Sequence, residues 1–472
     1  MAKPDPGSFR DPRSRVFLTG NRVIRAVAAS ESDLSDLLAT QFVVKGIESG
    51  DIVQSQLIRD VDGMEAQQFG IEWHSLVEHE RLPVISYPFE WSRSMLADAA
   101  ELELRVASAA LSNGWSTIDA TPYNVQFDGS RPVHIDLGSF EPYVEGRVWI
   151  AHRQFCEMYL HPLLMGSGGN GSEHRVLLRG SLGGISASLC WPRLSSAQRL
   201  NPSISLRVGL QAVAERRGKR STSLFKHADL EDAGFTARVI DKQIQGLQKL
   251  IARYRGPSSS SQWSNYSDRT HYLPSELKKK TDFVIEVAAS MRPSQILDIG
   301  TNDGVFAKAA APYADLVVAI DNDDAVVDSL YLSLRESGRN ILPLVIDITD
   351  PAGGRGWANV ERPPFLQRVS PDLVLCLAVV HHLVISASIP PEMVVSFLRS
   401  LDAEVILEIP SIDDPMVNLL LEQKANAVDY RHRYDASRLS RALDLEFMTR
   451  RRVEIGTRSL LHLIPRSVTQ IS

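Results

Sequence analysis

The chain has 472 residues, 44% of them hydrophobic and 23% charged, with a formal net charge of −6 and a pI near 6.1. That length exceeds one ordinary core and implies two or three domains, and the acidic balance argues against a general binder of nucleic acid or anionic membrane. The first residues hold no apolar signal-peptide stretch and the longest apolar runs, 373–380 among them, are too short to span a bilayer. Three scattered cysteines, Cys156, Cys190 and Cys376, sit among apolar neighbours, so the expectation is a cytoplasmic protein with reduced thiols.

In chain order, residues 1–14 are polar and proline-bearing and read as a flexible arm. Short apolar pieces over 15–44 ("RVFL", "RVIRAV", "FVVK") suggest a small strand-rich lobe, and "LPVISYPFEW" reads as a further strand. "SMLADAAELELRVASAAL" has alanine and leucine at helical spacing. Next comes "STIDATPYNVQFDGSRPVHIDLGSFE", with two short strands, "NVQF" and "PVHIDL", flanking a turn at Asp128-Gly129. Beyond Trp149 the pattern is mostly helical, interrupted by "GSGGNGSE", a connector with no Gly-Lys-Ser/Thr to make a phosphate cradle. "GPSSSSQWSNYSD" is the strongest break. The boundaries that follow are an arm over 1–14, an α+β domain over 15–165, a helical extension over 166–256, a linker over 257–268, and an α/β domain over 269–472.

The last domain opens with a helix over 276–291. Strands "QILDIG", "LVVAID", "ILPLVID", "DLVLCLAV" and "EVILEI" then alternate with helices, which implies a parallel sheet covered on both faces. In "QILDIGTNDGVFAKAA" a strand ends in Asp298, Gly300 and Gly304 bracket a tight turn, and the start of a helix offers N–H groups to an anionic ligand group. Asp321 ends the next strand, where an acid can hold ribose hydroxyls, and Asp347 ends the third. A dinucleotide turn would read Gly-x-Gly-x-x-Gly. Here Asp298 stands where a pyrophosphate would approach, and like charges about 4 Å apart cost on the order of 4 kcal/mol at an effective dielectric of 20. A ligand with an adenosine, an ammonium and no phosphate fits better: S-adenosylmethionine. Ordinary surface chemistry accounts for one strand-end acid easily and for three in register poorly.

Residues 296–347, with "PDLVLCLAVVHHL", resemble the class I S-adenosylmethionine-dependent methyltransferases. The resemblance implies a Rossmann-like sheet of seven strands, with "RRRVEIGTRSLLHLIP" as its closing antiparallel pair. It also implies that Asp298, Gly300 and Gly304 surround the methionine end of the cofactor, with Asn302 in place of the middle glycine. Asp321 would take the ribose, Asp347 and Ile348 the adenine edge, and Leu377 belongs to the same cofactor-binding set. His381 and His382 follow the fourth strand, where an imidazole titrating near neutrality can deprotonate an acceptor. Neighbours in an extended segment face opposite ways, so at most one meets substrate, and a packed histidine is as good a reading as a catalytic one. Glu408, and Asp413 and Asp414 in "SIDDPM", read equally as pocket residues or as a structural pair and a helix start.

In the first half, Asp119, Asn124 and Asp136 have the spacing of a protein-kinase catalytic loop and its following metal-binding aspartate. The preceding helix and the intervening strand are in the expected order as well, so the resemblance implies a kinase-like α+β domain. The departures are several. No His-Arg precedes Asp119, Asp-Leu-Gly replaces Asp-Phe-Gly, and Gly20 stands alone where a glycine-rich loop belongs. Lys45 is the only lysine between Lys3 and Lys219, which leaves Arg25 as the substitute cation. A tight turn would copy the spacing too. The reading is a degenerate kinase-like domain whose three polar residues mark a vestigial nucleotide or metal site, or an acceptor site; no metal centre is expected elsewhere.

From about residue 20 to 466 the chain resembles a two-part bacterial family of class I methyltransferases related to a host-specific nodulation protein. "EHERLPVISYPFEWS", "DATPYNVQF", "WIAHRQFCEMYLHPLL", "LRGSLGGI" and "VVHHLVISASIP" carry that resemblance. The expected function is methyl transfer from S-adenosylmethionine to a small-molecule acceptor. The alternatives are a bifunctional protein whose first half is an active small-molecule kinase, and a non-catalytic S-adenosylmethionine-binding module. The basic runs "ERRGKR" and "RRR" read as solvated surface, so neither nucleic acid nor membrane is the expected partner. The acceptor and the oligomeric state are not written in the sequence.

Overall fold

The computed structural model describes residues 2–58, 73–167, 173–217, 236–256, 274–335 and 340–467. The expected linker 257–268 and most of "GSGGNGSE" lie outside the described residues. The chain divides into two compact units, one made of Met1–Ser259 with Gly353–Pro363, the other of Ser260–Ala352 with Pro364–Ser472.

The first unit begins with an antiparallel sheet of five strands: β1 (Lys3–Pro4), β2 (Ser14–Thr19), β3 (Arg22–Val27), β4 (Ser55–Ile58) and β5 (Ser75–His79), in the order β1-β2-β3-β5-β4. β2 and β3 are joined by the two-residue turn Gly20-Asn21, with Gly20 at φ 57°, a tight hairpin that leaves no glycine-rich loop. Residues 3–14 are not the loose arm expected. Lys3 and Pro4 pair with Leu18 and Phe17, and the Asp5 amide donates to the Val16 carbonyl at 2.8 Å. "FVVK" is not a strand either; it lies in the helix Gln41–Ser49, because Phe42, Val43 and Gly46 recur on its buried face. The strand expected in "LPVISYPFEW" is instead the earlier Ser75–His79, since Pro83 and Pro88 lack the amide donors a ladder needs.

The helix Arg93–Ser112 follows, its N-terminus capped by the Ser92 hydroxyl. After it come β6 (Trp115–Thr117), β7 (Val125–Asp128), β8 (Arg131–His134) and β9 (Phe140–Pro142). β7 and β8 form a hairpin around Gly129-Ser130, one residue later than the expected turn, and Gly129 takes φ 58° there. β6 pairs with β9, so the loops carrying Asp119 and Asp136 are closed off together. Among the described residues that follow, helices predominate, the last of this unit being Ala237–Tyr254.

The second unit is a sheet of seven strands: β10 (Gln295–Ile299), β11 (Leu316–Asp321), β12 (Ile341–Val345), β13 (Leu373–Cys376), β14 (Glu404–Pro410), β15 (Phe447–Ile455) and β16 (Arg458–Pro465). Their order is β12-β11-β10-β13-β14-β16-β15. The pairs from β12 to β14 are parallel, and β16 runs antiparallel to both neighbours. Every residue of β10, β12 and β13 is buried, which is why these strands read as continuous apolar runs. The helix Pro274–Met291 packs Phe283, Val284, Val287 and Ala288 into this core. Among the described residues, no helix is long and apolar enough to cross a membrane.

Candidate functional site

The candidate site of the second unit lies at the carboxyl ends of β10 and β11. Gly300 and Thr301 both donate their amides to the Ile320 carbonyl, at 2.9 and 3.0 Å, turning the chain over the neighbouring strand. Gly300 (φ 70°), Asn302 (φ 50°) and Gly304 (φ 73°) all have left-handed backbone. A Cβ on Gly300 would meet Val379 Cγ2 at 2.6 Å, and one on Gly304 would meet Leu330 Cδ1 at 2.4 Å; both positions therefore need glycine for space as well as for φ. Gly304 then opens the short helix Val305–Ala310.

Asp321 ties this turn to its strand. Its Oδ2 accepts the Asn302 amide and its Oδ1 the Asp323 amide, each at 3.0 Å. A carboxylate has about four lone-pair sites, so both oxygens keep acceptor capacity. Asp298 is 2% exposed and accepts the Thr301 hydroxyl at 2.7 Å. Burial, with the Asp321 charge adding to it, pushes its carboxyl up to about 7 against that hydrogen bond.

Asp347 lies two residues past the end of β12 rather than on it, and is exposed. Its Oδ1 accepts the Thr349 amide and hydroxyl, at 2.9 and 2.6 Å. Ile348 beside it is half-buried, and the buried Leu377 directly follows β13. The turn residues 298–304 and Asp321 thus form one hydrogen-bonded constellation, with Asp347, Ile348 and Leu377 at the ends of flanking strands.

The two histidines differ from the expectation in geometry and in charge. They are not extended: Ala378 at φ 56° turns the chain after β13 and a helical segment follows, a π-turn over His382–Ser386. Their rings lie 4.3 Å apart, centroid to centroid, tilted by 40°. Nor do they titrate near neutrality. Burial drives His382 down to about 4, with Arg458 adding to it, and His381 lies well below its usual range for the same first reason. The Nδ1 of His381 is buried without a hydrogen-bond partner.

Behind them is a buried ionic network that sequence reasoning missed. Glu408 pairs with Lys280 and with Arg458, the latter at 3.3 Å, and Arg458 forks onto Asp414. Glu408 is therefore structural, and Asp414 is the N-cap of the helix Pro415–Glu422, accepting the Met416 amide at 2.9 Å. Asp413 is exposed. One signal for Lys280 was available: in "LKKKTDFVIEV" it shares helical phase with Phe283, Val284 and Val287.

In the first unit Asp119, Asn124 and Asp136 line a single cavity of about 520 Å³. Asn124 Nδ2 donates to the Asp119 carbonyl at 3.0 Å. Asp136 Oδ1 accepts the Gly138 amide and pairs with Arg25 Nη2, both at 2.9 Å. Burial first, then the Asp136 charge, lifts Asp119 to about 6. Among the described residues no group of three or more His, Cys, Asp or Glu is arranged to hold a metal ion.

The strand order and the glycine turn at the end of β10 define a Rossmann-like α/β sheet. No protein-family model matches the chain. It is 31% identical over 452 residues to the nodulation protein NoeA of Rhizobium meliloti (strain 1021), covering 93% of this chain and 92% of that protein, and it belongs to that family. Two solved structures are similar at lower levels. The N-methyltransferase NodS from Bradyrhizobium japonicum WM9, in complex with S-adenosyl-L-homocysteine, is 14% identical over 42% of this chain and 92% of its own, with a TM-score of 0.31. The magnesium protoporphyrin IX methyltransferase ChlM from Synechocystis PCC 6803, with bound SAM, is 15% identical over 45% and 87%, with a TM-score of 0.29.

Proposed function

We propose that the second unit binds S-adenosylmethionine and that the chain transfers a methyl group from it to a small-molecule acceptor in the cytoplasm. The observation that carries this is the pairing of two strand-end acids across one glycine turn. Asp298 is a buried carboxyl beside Gly300, and Asp321 is a diol-sized acceptor held by the turn's own Asn302 amide. An ammonium group suits Asp298, because a positive charge beside a carboxyl that burial has pushed up to about 7 favours its ionised form. Asp321 would accept ribose hydroxyls, and Asp347, Ile348 and Leu377 would border the base. The bound cofactor supplies an electrophilic methyl group on a sulfonium.

What remains for the protein is alignment of the acceptor and removal of its proton. His382, half-buried and uncharged at neutral pH, is assigned as a weak base for the acceptor's proton. His381, 1% exposed, is assigned to packing.

The first unit is read as kinase-like in architecture. The long helix Arg93–Ser112, the Asp119 loop, the β7–β8 hairpin and the Asp136 turn follow one another in that order, bracketed by the β6–β9 pair. Phosphoryl transfer is not proposed for it, because Arg25 already occupies Asp136.

The test is calorimetric titration of S-adenosylmethionine into the full chain and its Asp321→Ala variant. Loss of two hydrogen bonds to a charged acceptor should weaken binding by roughly tenfold or more. Unchanged affinity would remove the assignment. Transfer of radiolabelled methyl groups into size-fractionated extract then separates an enzyme on small molecules from a binding module, which would bind and transfer nothing.

A further inference from the structure

The cavity of the first unit is bounded by stretches far apart in the chain: the N-terminal segment from Asp5, the loops of Asp119 and Asp136, and Glu361 with Arg362. Its volume suits a small organic molecule. Five carboxylates line it (Asp5, Asp11, Asp119, Asp136, Glu361) against three guanidinium groups (Arg10, Arg25, Arg362), an excess of two negative charges.

The cations are already engaged. Arg10 forks onto the buried Glu361, with contacts of 2.6 and 2.7 Å, and Arg25 holds Asp136. Arg362 lies over the Tyr123 ring, 4.3 Å from its centroid, and reaches Gly7, where a Cβ would stand 2.6 Å from Nη1. On the acidic side, Asp11 accepts the Ser14 hydroxyl at 2.8 Å and the Arg13 amide at 2.9 Å, with the exposed Arg13 guanidinium at 3.5 Å. Asp5 accepts the Gly7 amide at 2.9 Å, and Asp119 has Gln154 and Asn124 beside it, but neither acid has a cation at ion-pair distance among the described residues, and Asp119 Oδ1 is buried with no hydrogen-bond partner. Burial raises both acids above the usual carboxylate range. A desolvated carboxylate without a counter-ion is costly, and in a cleft it marks a site that awaits one; Asp119 is such a group, while Asp5 shares Arg362 and Arg25 with its neighbours. The aromatic wall points the same way, since Tyr123 already receives a cation on its face.

A divalent ion is a poor candidate for that counter-charge. Oδ1 of Asp136 is taken by Arg25 and by the Gly138 amide, so a metal there would face a guanidinium on the same carboxylate.

We propose that this cavity binds an organic cation bearing a primary ammonium or a guanidinium, with Asp119 and Asp5 as its counter-charges and Arg362 as the resident cation it displaces from Tyr123. This site is independent of the cofactor crevice in the second unit.

The test uses the full chain with agmatine and spermidine as probes, and Mg-ATP as the opposing one, by calorimetry. Saturable binding of at least one amine is expected. Asp119→Asn should weaken it by roughly tenfold, and Arg362→Gln should strengthen it by a few-fold by removing the competitor. Retained circular-dichroism spectra and cooperative unfolding in each variant report that the variants are folded. Neither amine binding, amine binding indifferent to Asp119→Asn, or Mg-ATP binding that disappears in Asp136→Ala would each overturn the proposal.

Discussion

Arg458 grips Asp414 with two nitrogens, Nε to Oδ2 at 2.8 Å and Nη2 to Oδ1 at 3.1 Å, and both side chains are almost wholly removed from solvent. The Thr457 hydroxyl adds a third bond to the same carboxylate at 2.7 Å. Removing one partner strands the other charge. Asp414→Ala should therefore cost about 3–5 kcal/mol, measured as a lowered urea midpoint for the second unit. Replacing Arg458 and Asp414 together by apolar residues should cost less than Asp414→Ala alone. A single-mutant cost below about 1 kcal/mol, the scale of an exposed pair, would mean the network is not structural.

The buried Asp298 makes opposite predictions for the free protein and for ligand binding. Its folded carboxyl sits near 7, above the ordinary 3.8. A raised acid contributes stability that is complete below pH 3.8 and is lost as pH climbs through 7, an effect of up to about 4 kcal/mol. The free chain should lose stability from pH 5 to pH 8 more steeply than Asp298→Asn does. Cofactor affinity should rise over pH 5.5 to 7 as the carboxylate forms, and Asp298→Asn should flatten that rise. Parallel slopes in parent and variant would detach the group from both effects.

For the histidine pair the prediction concerns charge. His382 is held near 4 and His381 well below its usual range. Nuclear magnetic resonance titration should show no inflection from either ring between pH 5.5 and 8. An inflection near 6.5 that vanishes in His382→Ala would restore an ordinary, solvated imidazole at this position.

Gly304 allows a comparison of space with backbone. Gly20 shares its left-handed φ, yet a Cβ there meets nothing within 4 Å, while at Gly304 it strikes the buried Leu330. Gly20→Ala should cost about 1–2 kcal/mol. Gly304→Ala should add about 1–3 kcal/mol of overpacking to that, read from thermal or urea unfolding. Equal costs would show that Leu330 yields freely.

Much of the second unit was legible because its information is local. The buried parallel strands are unbroken apolar runs, and Asp298, Gly300 and Gly304 lie on one continuous stretch, so spacing alone displays the turn. The histidines were misread because periodicity does not show Ala378 taking a positive φ, and that one residue converts an extended segment into a helical one. Lys280, Asp414 and Arg458 were missed because a charged residue carries a prior of exposure, and only helical phase spoke against it for Lys280. In the first unit, residues 1–14 read as loose because an edge strand of two residues with a proline has no pattern of its own. Arg362 and Glu361 gave no signal at all, since the groups they meet, Tyr123 and Arg10, lie hundreds of positions earlier.

The membership of Gly353–Pro363 in the first unit constrains how this protein can be dissected. A gene severed in the serine-rich stretch near residue 260 would yield an amino-terminal product whose cavity lacks one wall, while the missing eleven-residue piece would remain on the other product with its apolar and charged groups uncovered. Neither product would be a faithful copy of its parent half, so point substitutions within the continuous chain are the cleaner way to ask what each half does.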